Sequence, residues 1–303
     1  MIKNRFVLID AFALIFRAYY ALPPSLTKDG HSVNAVYGFA SALLGAIKTL
    51  GPEYLAVGMD LPAPTHRHKE YVEYKAHRAP MPEDLGPQIP YVKELLKVMN
   101  IPTYAVEGYE GEDVVASIIT KAKKQNEKVK NMEYIIVTGD MDLLQLIDEQ
   151  TKVYSMARGI NQAAIYDEKK VVARYGLTPA QFVDFKALKG DTSDNIPGVP
   201  GIGEKTAAKL IVEYGNLEKI YENLEKIHGK VQTLLKDNKE QAYLSQKLST
   251  IQNDVELEFK LEDAKIHEYN KQDVIKLFNH FGFKSLIVRL PEEKKKLEQG
   301  KLL

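Results

Sequence analysis

Apolar and polar positions follow two different rhythms along the first half of the chain. Residues 5–9 (RFVLI) are a short apolar run, which predicts a strand. Residues 33–50 instead carry Val36, Phe39, Ala40, Leu43, Leu44 and Ile47 at the spacing of one helical face. Residues 53–59 (EYLAVGM) are strand-like again. Residues 89–99 return to helical spacing, with Ile89, Val92, Leu95, Leu96 and Met99 in register, and residues 113–124 predict another helix. A third strand is predicted at 133–137 (EYIIV) and a weaker fourth at 152–156. Strands separated by helices imply parallel pairing, so this half is an α/β fold.

The stretch 61–87 breaks the alternation. It holds Pro62, Pro64, Pro80, Pro82 and Pro87, and it is crowded with His66, Arg67, His68, Lys69, Lys75, His77 and Arg78. It is expected to be a mobile basic excursion from the sheet. From about residue 178 the strand signals fade. Helices are predicted over 179–188, 204–214, 217–227, 239–250 and 272–281, with a Pro/Gly-rich turn at 196–203 (IPGVPGIG) between the first two. No fixed-period repeat is present, and a charged, loosely ordered tail is expected over 291–303.

The 303 residues suffice for one large domain or two small ones. With 45% hydrophobic and 27% charged residues the composition is that of an ordinary globular protein. There is no cysteine, so disulfides and thiolate metal sites are excluded and any metal must be held by oxygen or histidine. No apolar run approaches the ~18 residues a membrane helix needs, and Asp10 interrupts the apolar stretch of residues 1–10, so a signal peptide is not expected. A cytoplasmic location is expected. The 41 basic and 41 acidic residues cancel, so the position of the charges matters more than their sum.

Those positions are not scattered. Three predicted strands run into acids: 5–9 into Asp10, 53–59 into Asp60, and 133–137 through Thr138 and Gly139 into Asp140, with Asp142 two residues on. In an open parallel sheet the C-terminal strand ends share one edge, where ligands bind. Glu110, Glu112 and Asp113 precede the helix beginning at Val114, and Asp191 and Asp194 head the Pro/Gly turn. Each acid alone has a plain explanation as a turn residue or a helix cap, and the Glu110–Asp113 group also suits the positive end of a helix. Gathered at one edge, nine carboxylates would repel one another unless cations neutralise them or several stay protonated. Hard oxygen ligands suit Mg²⁺ or Mn²⁺, and pairs of such ions serve phosphodiester hydrolysis.

The turn at 198–206 (GVPGIGEKT) is a near miss to a phosphate-binding P-loop, with Glu204 at the lysine position and Lys205 one place late, after a helix rather than a strand. The preferred reading is a helix–hairpin–helix. Gly198, Gly201 and Gly203 would let backbone N–H groups approach phosphates, with Lys205 and Lys209 on the first turns of the next helix. A tight turn between two packed helices needs the same residues.

At this point the chain resembles the 5′ nuclease domain of bacterial DNA polymerase I and, through it, the flap endonuclease superfamily. The resemblance rests on FRAYYALP (16–23), NAVYGF (34–39), EYKAHRAP (73–80), GYEGED (108–113), VTGDMDLLQL (137–146) and KGDTSDNIPGVPGIGEKTA (189–207), and spans about residues 6–286. It implies a Rossmann-like, PIN-type, mostly parallel catalytic core over 1–177 with a basic helical arch at about 61–100. An all-helical helix–three-turn–helix DNA-binding region follows over 178–290. By motif it implies Asp10, Asp60, Glu110, Glu112, Asp113, Asp140, Asp142, Asp191 and Asp194 as metal ligands, some acting through water. Lys75 and Arg78 are implied as catalytic arch residues on the scissile phosphate, and Arg67 and Tyr74, the latter a base-stacking neighbour, as DNA contacts. Two or more Mg²⁺ are implied, with Mn²⁺ as a substitute and K⁺ at the hairpin.

The implied activity is that of a 5′→3′ exonuclease and flap endonuclease in primer removal and repair. Its partners would be DNA flaps, nicks, 5′ ends and RNA primer–DNA hybrids, together with a separate DNA polymerase. A monomer on the bacterial nucleoid is expected. The chain departs from the family pattern at Ala11, Phe12, Met59, His66, Glu112 and Met141. These departures keep an alternative in view, a flap- or junction-binding protein with impaired catalysis. An RNase on the same core is disfavoured by the hairpin. A zinc enzyme built on His66, His68 and His77 is disfavoured because no fourth ligand is in spacing.

Overall fold

The structure, a computed structural model, describes residues 4–25, 27, 29–125, 132–156 and 163–291. The charged tail expected at 291–303 lies outside the described residues from 292 onward. Strand β1 (Asn4–Asp10) occupies the middle of a six-stranded sheet. Its residues Phe6, Val7, Leu8 and Ile9 are all apolar and all fully buried, which suits a strand covered on both faces. Parallel to it run β2 (Tyr54–Gly58) on one side and β4 (Met132–Thr138) on the other. Beyond β2 lies β3 (Thr103–Tyr104); beyond β4 lie β5 (Thr151–Ser155) and an antiparallel edge strand, β6 (Ala164–Tyr166). The first three predicted strands are the three central ones and the fourth is β5. The two that periodicity missed, β3 and β6, have two and three residues, too few to show a period.

Alternation along β1 sorts the core into two layers. Val7 and Ile9 face α1 (Ala11–Ala21), α2 (Asn34–Leu50) and α4 (Gln88–Val98), the last preceded by the short α3 (His66–Glu70). Phe6 and Leu8 face α5 (Gly111–Gln125), and that layer continues through α6 (Glu168–Tyr175) and α7 (Phe182–Lys189). It extends on into α8 (Glu204–Tyr214), α9 (Leu217–Glu222), α10 (Lys230–Asp237) and α11 (Lys239–Ser249). The chain then crosses back. Helices α12 (Lys271–His280) and α13 (Lys284–Ile287) put Val274, Leu277, Phe278 and Leu286 into the first layer, beside α4. The five helices expected from residue 178 onward are present, but the last of them, α12, belongs with the unexpected α13 to the sheet's other face. No helix among the described residues is long and apolar enough to cross a membrane.

The basic excursion differs from the expected arch. Between residues 61 and 87 the only regular element is α3, five residues long, followed by turns. The segment is folded down onto the protein, with the Lys75 amide donating to the Asp194 carbonyl at 2.9 Å and the Asn195 side-chain amide to the Glu73 carbonyl at 2.7 Å.

The Pro/Gly turn is as constrained as its composition suggests. Asp191 and Ile196 exchange backbone hydrogen bonds of 2.8 Å, which folds the chain back on α7. Gly198 has φ +64°, and a Cβ there would stand 2.2 Å from the Gly190 nitrogen. Gly203 has an extended φ of −91° and open space around it. Gly198→Ala is therefore expected to lower the unfolding free energy by about 2 kcal/mol or more. Gly203→Ala should leave it within about 0.5 kcal/mol. Urea denaturation of the two variants checks the contrast.

Candidate active site

The strand order reverses around β1: β2 and β3 lie to one side and β4 and β5 to the other, so the C-terminal ends of β1, β2 and β4 open onto one crevice. Asp10 ends β1, Asp60 follows β2 by two residues and Asp140 follows β4 by two. Asp10 caps α1, accepting the Ala13 amide at 3.4 Å, and its other oxygen accepts the Thr138 hydroxyl at 2.7 Å. Asp60 accepts the Gly111 amide at 3.2 Å. Asp140 accepts the Asp142 amide at 2.9 Å. None of these three carboxylates has an ion-pair partner among the described residues. Burial, followed by the charges of Asp60 and Asp140, pushes the Asp10 carboxyl up to about 7 against the opposing Thr138 bond. Burial and the Glu110 charge likewise raise Asp60, against the Gly111 bond and Lys75.

The other six acids are compensated from within. Arg67 is 1% exposed and grips Asp113 with two bonds, of 2.7 and 2.8 Å. It also lies 3.2 Å from Glu112 and 3.5 Å from Glu110, and it donates to the carbonyls of Leu248 and Thr250. Burial opposes the charge on Arg67, but Glu112 and Asp113 outweigh it, so the guanidinium is held more firmly protonated than usual. Burial pushes Glu112 well up despite Arg67, with Glu110 adding to the rise. Lys75 sits 2.8 Å from Glu110 and 3.7 Å from Asp194, Arg78 pairs with Asp194, and the Tyr74 hydroxyl donates to Asp194 at 3.1 Å. Lys186 pairs with Asp142 and, at 2.5 Å, with Asp191. Burial pushes Asp191 up, but Lys186 and Ser193 hold it down to about 2; burial and the neighbouring Asp140 leave Asp142 at about 6.

The nine sequence-identified acids therefore share one region, but they do not form a ready-made ion cage. Among the described residues no three acids or histidines stand close enough together to hold a metal ion. Arginine and lysine side chains stand between them instead. The donor set still fits hard divalent cations: all oxygen, no cysteine, and a buried Asp10 raised by the charges of Asp60 and Asp140. Asp113 is different. It is fully buried and its oxygens are taken by Arg67 and by the amides of Glu110 and Gln252, so it positions the Glu110–Glu112 turn and has no room for a ligand.

Three expected DNA contacts are corrected. Arg67 and Tyr74 are 1% and 2% exposed, so neither can meet a base or phosphate; a short Pro-rich segment has no period to reveal that they point inward. Gly198 is buried, with its amide donated to Ser245 and its carbonyl taken by Gln241. Gly201, Gly203, Lys205 and Lys209 are all exposed on the hairpin and the helix after it. Two further cations went unnoticed in the sequence. Arg17 on α1 lies beside Gly139, its Cδ 3.5 Å from the position of a Cβ there, with no hydrogen bond or ion pair among the described residues. Its signal was the spacing from Asp10, two helical turns along the same face. Lys186 was marked only by its place in the last turn before Asp191. His66, His68 and His77 do not gather into a zinc site.

Comparison with known proteins follows the same division of the chain. Residues 5–176 match the family model described as 5′-3′ exonuclease, N-terminal resolvase-like domain, and residues 177–272 match 5′-3′ exonuclease, C-terminal SAM fold. The chain is 41% identical over 288 residues to DNA polymerase I of Caldicellulosiruptor bescii, covering 94% of this chain and 33% of that protein. It is 37% identical over 302 residues to DNA polymerase I of Bacillus subtilis, covering 99% and 34%. The chain thus spans about a third of the length of these relatives. Its fold is shared with T5 5′-exonuclease with bound divalent metal ions (zinc), at a TM-score of 0.66 and 23% identity over 81% of this chain and 89% of that one. It is shared also with T5 D15 flap endonuclease in a complex with DNA and metal ions, at 0.65 and 20% identity over 94% and 96%. The catalytic core of Rad2 in complex with DNA substrate gives 0.59 and 16% identity over 95% and 93%.

Two measurements test the electrostatics. Without divalent ions, folded Asp10 keeps up to about pH 7 a proton that the unfolded chain releases near 3.8. The folded state binds more protons across that window, so the stability from this group is present below it and lost as pH rises through it. Denaturation in EDTA should therefore show Asp10→Asn gaining on wild type between about pH 4 and 7, by on the order of a few kcal/mol. Arg67→Met should cost about 3–5 kcal/mol, because it strands buried carboxylates. Arg67→Lys should recover little of that, since an ammonium cannot reproduce the two-pronged grip on Asp113.

Proposed function

The chain belongs to the 5′-3′ exonuclease family, and on that premise we propose that it is a metal-dependent 5′ nuclease that hydrolyses DNA phosphodiesters at 5′ ends and flaps. The observation that carries this reading is the crevice acids: Asp10, Asp60 and Asp140, from three neighbouring strand ends, have no ion-pair partner among the described residues, while burial raises Asp10, with the charges of Asp60 and Asp140 adding to it, and raises Asp60, with that of Glu110. Divalent cations, Mg²⁺ in the cell with Mn²⁺ as a substitute, would be held there by Asp10, Asp60, Asp140 and Glu110 or Glu112, with a second ion toward Asp142, Asp191 and Asp194. When bound, they supply the Lewis acidity that lowers the pKa of water and neutralises charge on the phosphate.

The remaining steps belong to the chain's own side chains. Arg17, Lys75 and Arg78 approach the crevice from α1 and from the folded-down excursion, and they bind the scissile phosphate as point charges. Lys75 and Arg78 leave Glu110 and Asp194 to do so. The strained backbone at Lys75, φ +56°, marks it as a residue held in place by its surroundings. Gly203 offers a backbone amide with no partner among the described residues, and Lys205 and Lys209 lie beside it. This edge grips duplex phosphates without reading bases, with K⁺ as a bridging ion. A role in primer removal and repair, on DNA or RNA–DNA hybrids in the cytoplasm, follows as part of the proposal.

A 5′-labelled double-flap DNA incubated with Mg²⁺ or EDTA tests it. Cutting near the junction should require Mg²⁺, and it should fall at least ~100-fold in Asp140→Asn and ~10- to 1,000-fold in Lys75→Ala. Tight binding of flaps with no cutting in Mg²⁺ or Mn²⁺ would sink the nuclease reading and leave a junction-binding protein.

A further inference from the structure

The acids of the crevice fall into two electrically unlike halves. Asp10, Asp60 and Asp140 have no ion-pair partner among the described residues, and Asp10 feels the charges of the other two. On the other side Lys186 reaches from the last turn of α7 to bond both Asp142 and Asp191, an acid from the turn after β4 and an acid from the start of the hairpin. Its side chain is 11% exposed, and the two carboxylates are 25% and 14% exposed. Lys186 is therefore not a surface lysine that happens to lie near an acid. The oxygens it bonds, Asp142 Oδ1 and Asp191 Oδ2, belong to two of the three acids to which the proposed function gives the second divalent ion.

One site cannot hold both charges. An ammonium bonded to both carboxylates and a divalent ion shared by them would stand in contact, and like charges at such range in a half-buried site repel strongly. Resting on the metal reading above, we propose that Lys186 is an internal counter-cation that keeps the Asp142–Asp191 half closed to metal until it is displaced. The first divalent ion would be held by Asp10, Asp60 and Asp140, none of which is ion-paired among the described residues. The second enters only as the Lys186 ammonium moves off. A nucleic-acid phosphate arriving at this edge offers that ammonium a new anion, so substrate and second ion favour each other's binding. Lys186 is thus a positioning residue that makes full metal loading depend on the presence of DNA. Without metal or DNA the same lysine holds the hairpin against the end of β4 by neutralising two acids that would otherwise push them apart.

The test is a titration of the full chain with Mn²⁺ alone, by calorimetry and by electron paramagnetic resonance of the free ion, with no DNA present. Wild type should show one tight class of site and one at least tenfold weaker. In Lys186→Met the weak class should tighten at least tenfold, whereas Lys186→Arg, which keeps the charge, should leave it weak. Asp191→Asn should remove that class in the Met background, which assigns it. Melting curves give the second readout: in EDTA Lys186→Met should melt below wild type, and Mn²⁺ should raise its melting temperature more than it raises that of wild type. Two classes of unchanged affinity in a folded Lys186→Met protein would overturn the role of Lys186 and leave the metal reading intact, as would two equal sites in wild type. If none of the proteins binds Mn²⁺, the metal reading falls and this inference with it.

Discussion

Repulsion among carboxylates is the constraint around which this molecule is arranged. A parallel sheet sends the ends of β1, β2 and β4 to one edge, and each ends in or near an aspartate. The α5 start and the hairpin add five more acids to the same region, with Asp142 between them. A folded protein can carry such a concentration of negative charge only by pairing it, protonating it or reserving it for external cations. The first two are visible: Arg67, Lys75, Arg78 and Lys186 pair six of the acids, and Asp10 retains its proton to about pH 7; the third is what the proposed function assigns to the crevice between the strand ends.

The pairing also holds the molecule together. Arg67 reaches from α3 to Asp113 at the first turn of α5 and to two carbonyls at the end of α11. One side chain thereby ties the excursion, the sheet's crossover helix and the helical region that carries the hairpin. The distance between the acidic crevice and the hairpin is set by this buried ionic joint together with the continuous apolar layer that runs from α5 into α8 and α9. A nuclease of the proposed kind, cutting at a defined distance from a gripped duplex, would need that rigidity. In the proposed function Lys75, Lys186 and Arg78 are the adjustable part, because they would exchange their carboxylates for phosphate.

Some sequence features carried more than one meaning. Asp10 could be read as a helix cap or as a metal-site acid, and the two readings are compatible: one oxygen accepts the Ala13 amide while the buried carboxyl stays beside Asp60 and Asp140. The glycines of the hairpin looked alike, yet Gly198 is locked against Gly190 while Gly203 lies open. Arg67 read as one more base in a basic loop, and it is among the most buried side chains in the protein. In each case the local pattern was right about the turn or the charge and silent about which way the atoms face.

The sequence by itself determined the central strands, the long helices, the hairpin and the acids at the strand ends. These depend on periodicity and on residues within a few positions of one another, and a parallel sheet then gathers the strand ends without further information. Only the tertiary structure decided which cation meets which acid. Arg67 and Asp113 are 46 residues apart, Lys75 and Glu110 are 35 apart, and Arg78 and Asp194 are 116 apart. Coulomb energy depends on distance through space and on burial, neither of which spacing along the chain records. The split between acids held by the protein's own bases and acids without an internal ion pair is for that reason a property of the folded molecule alone.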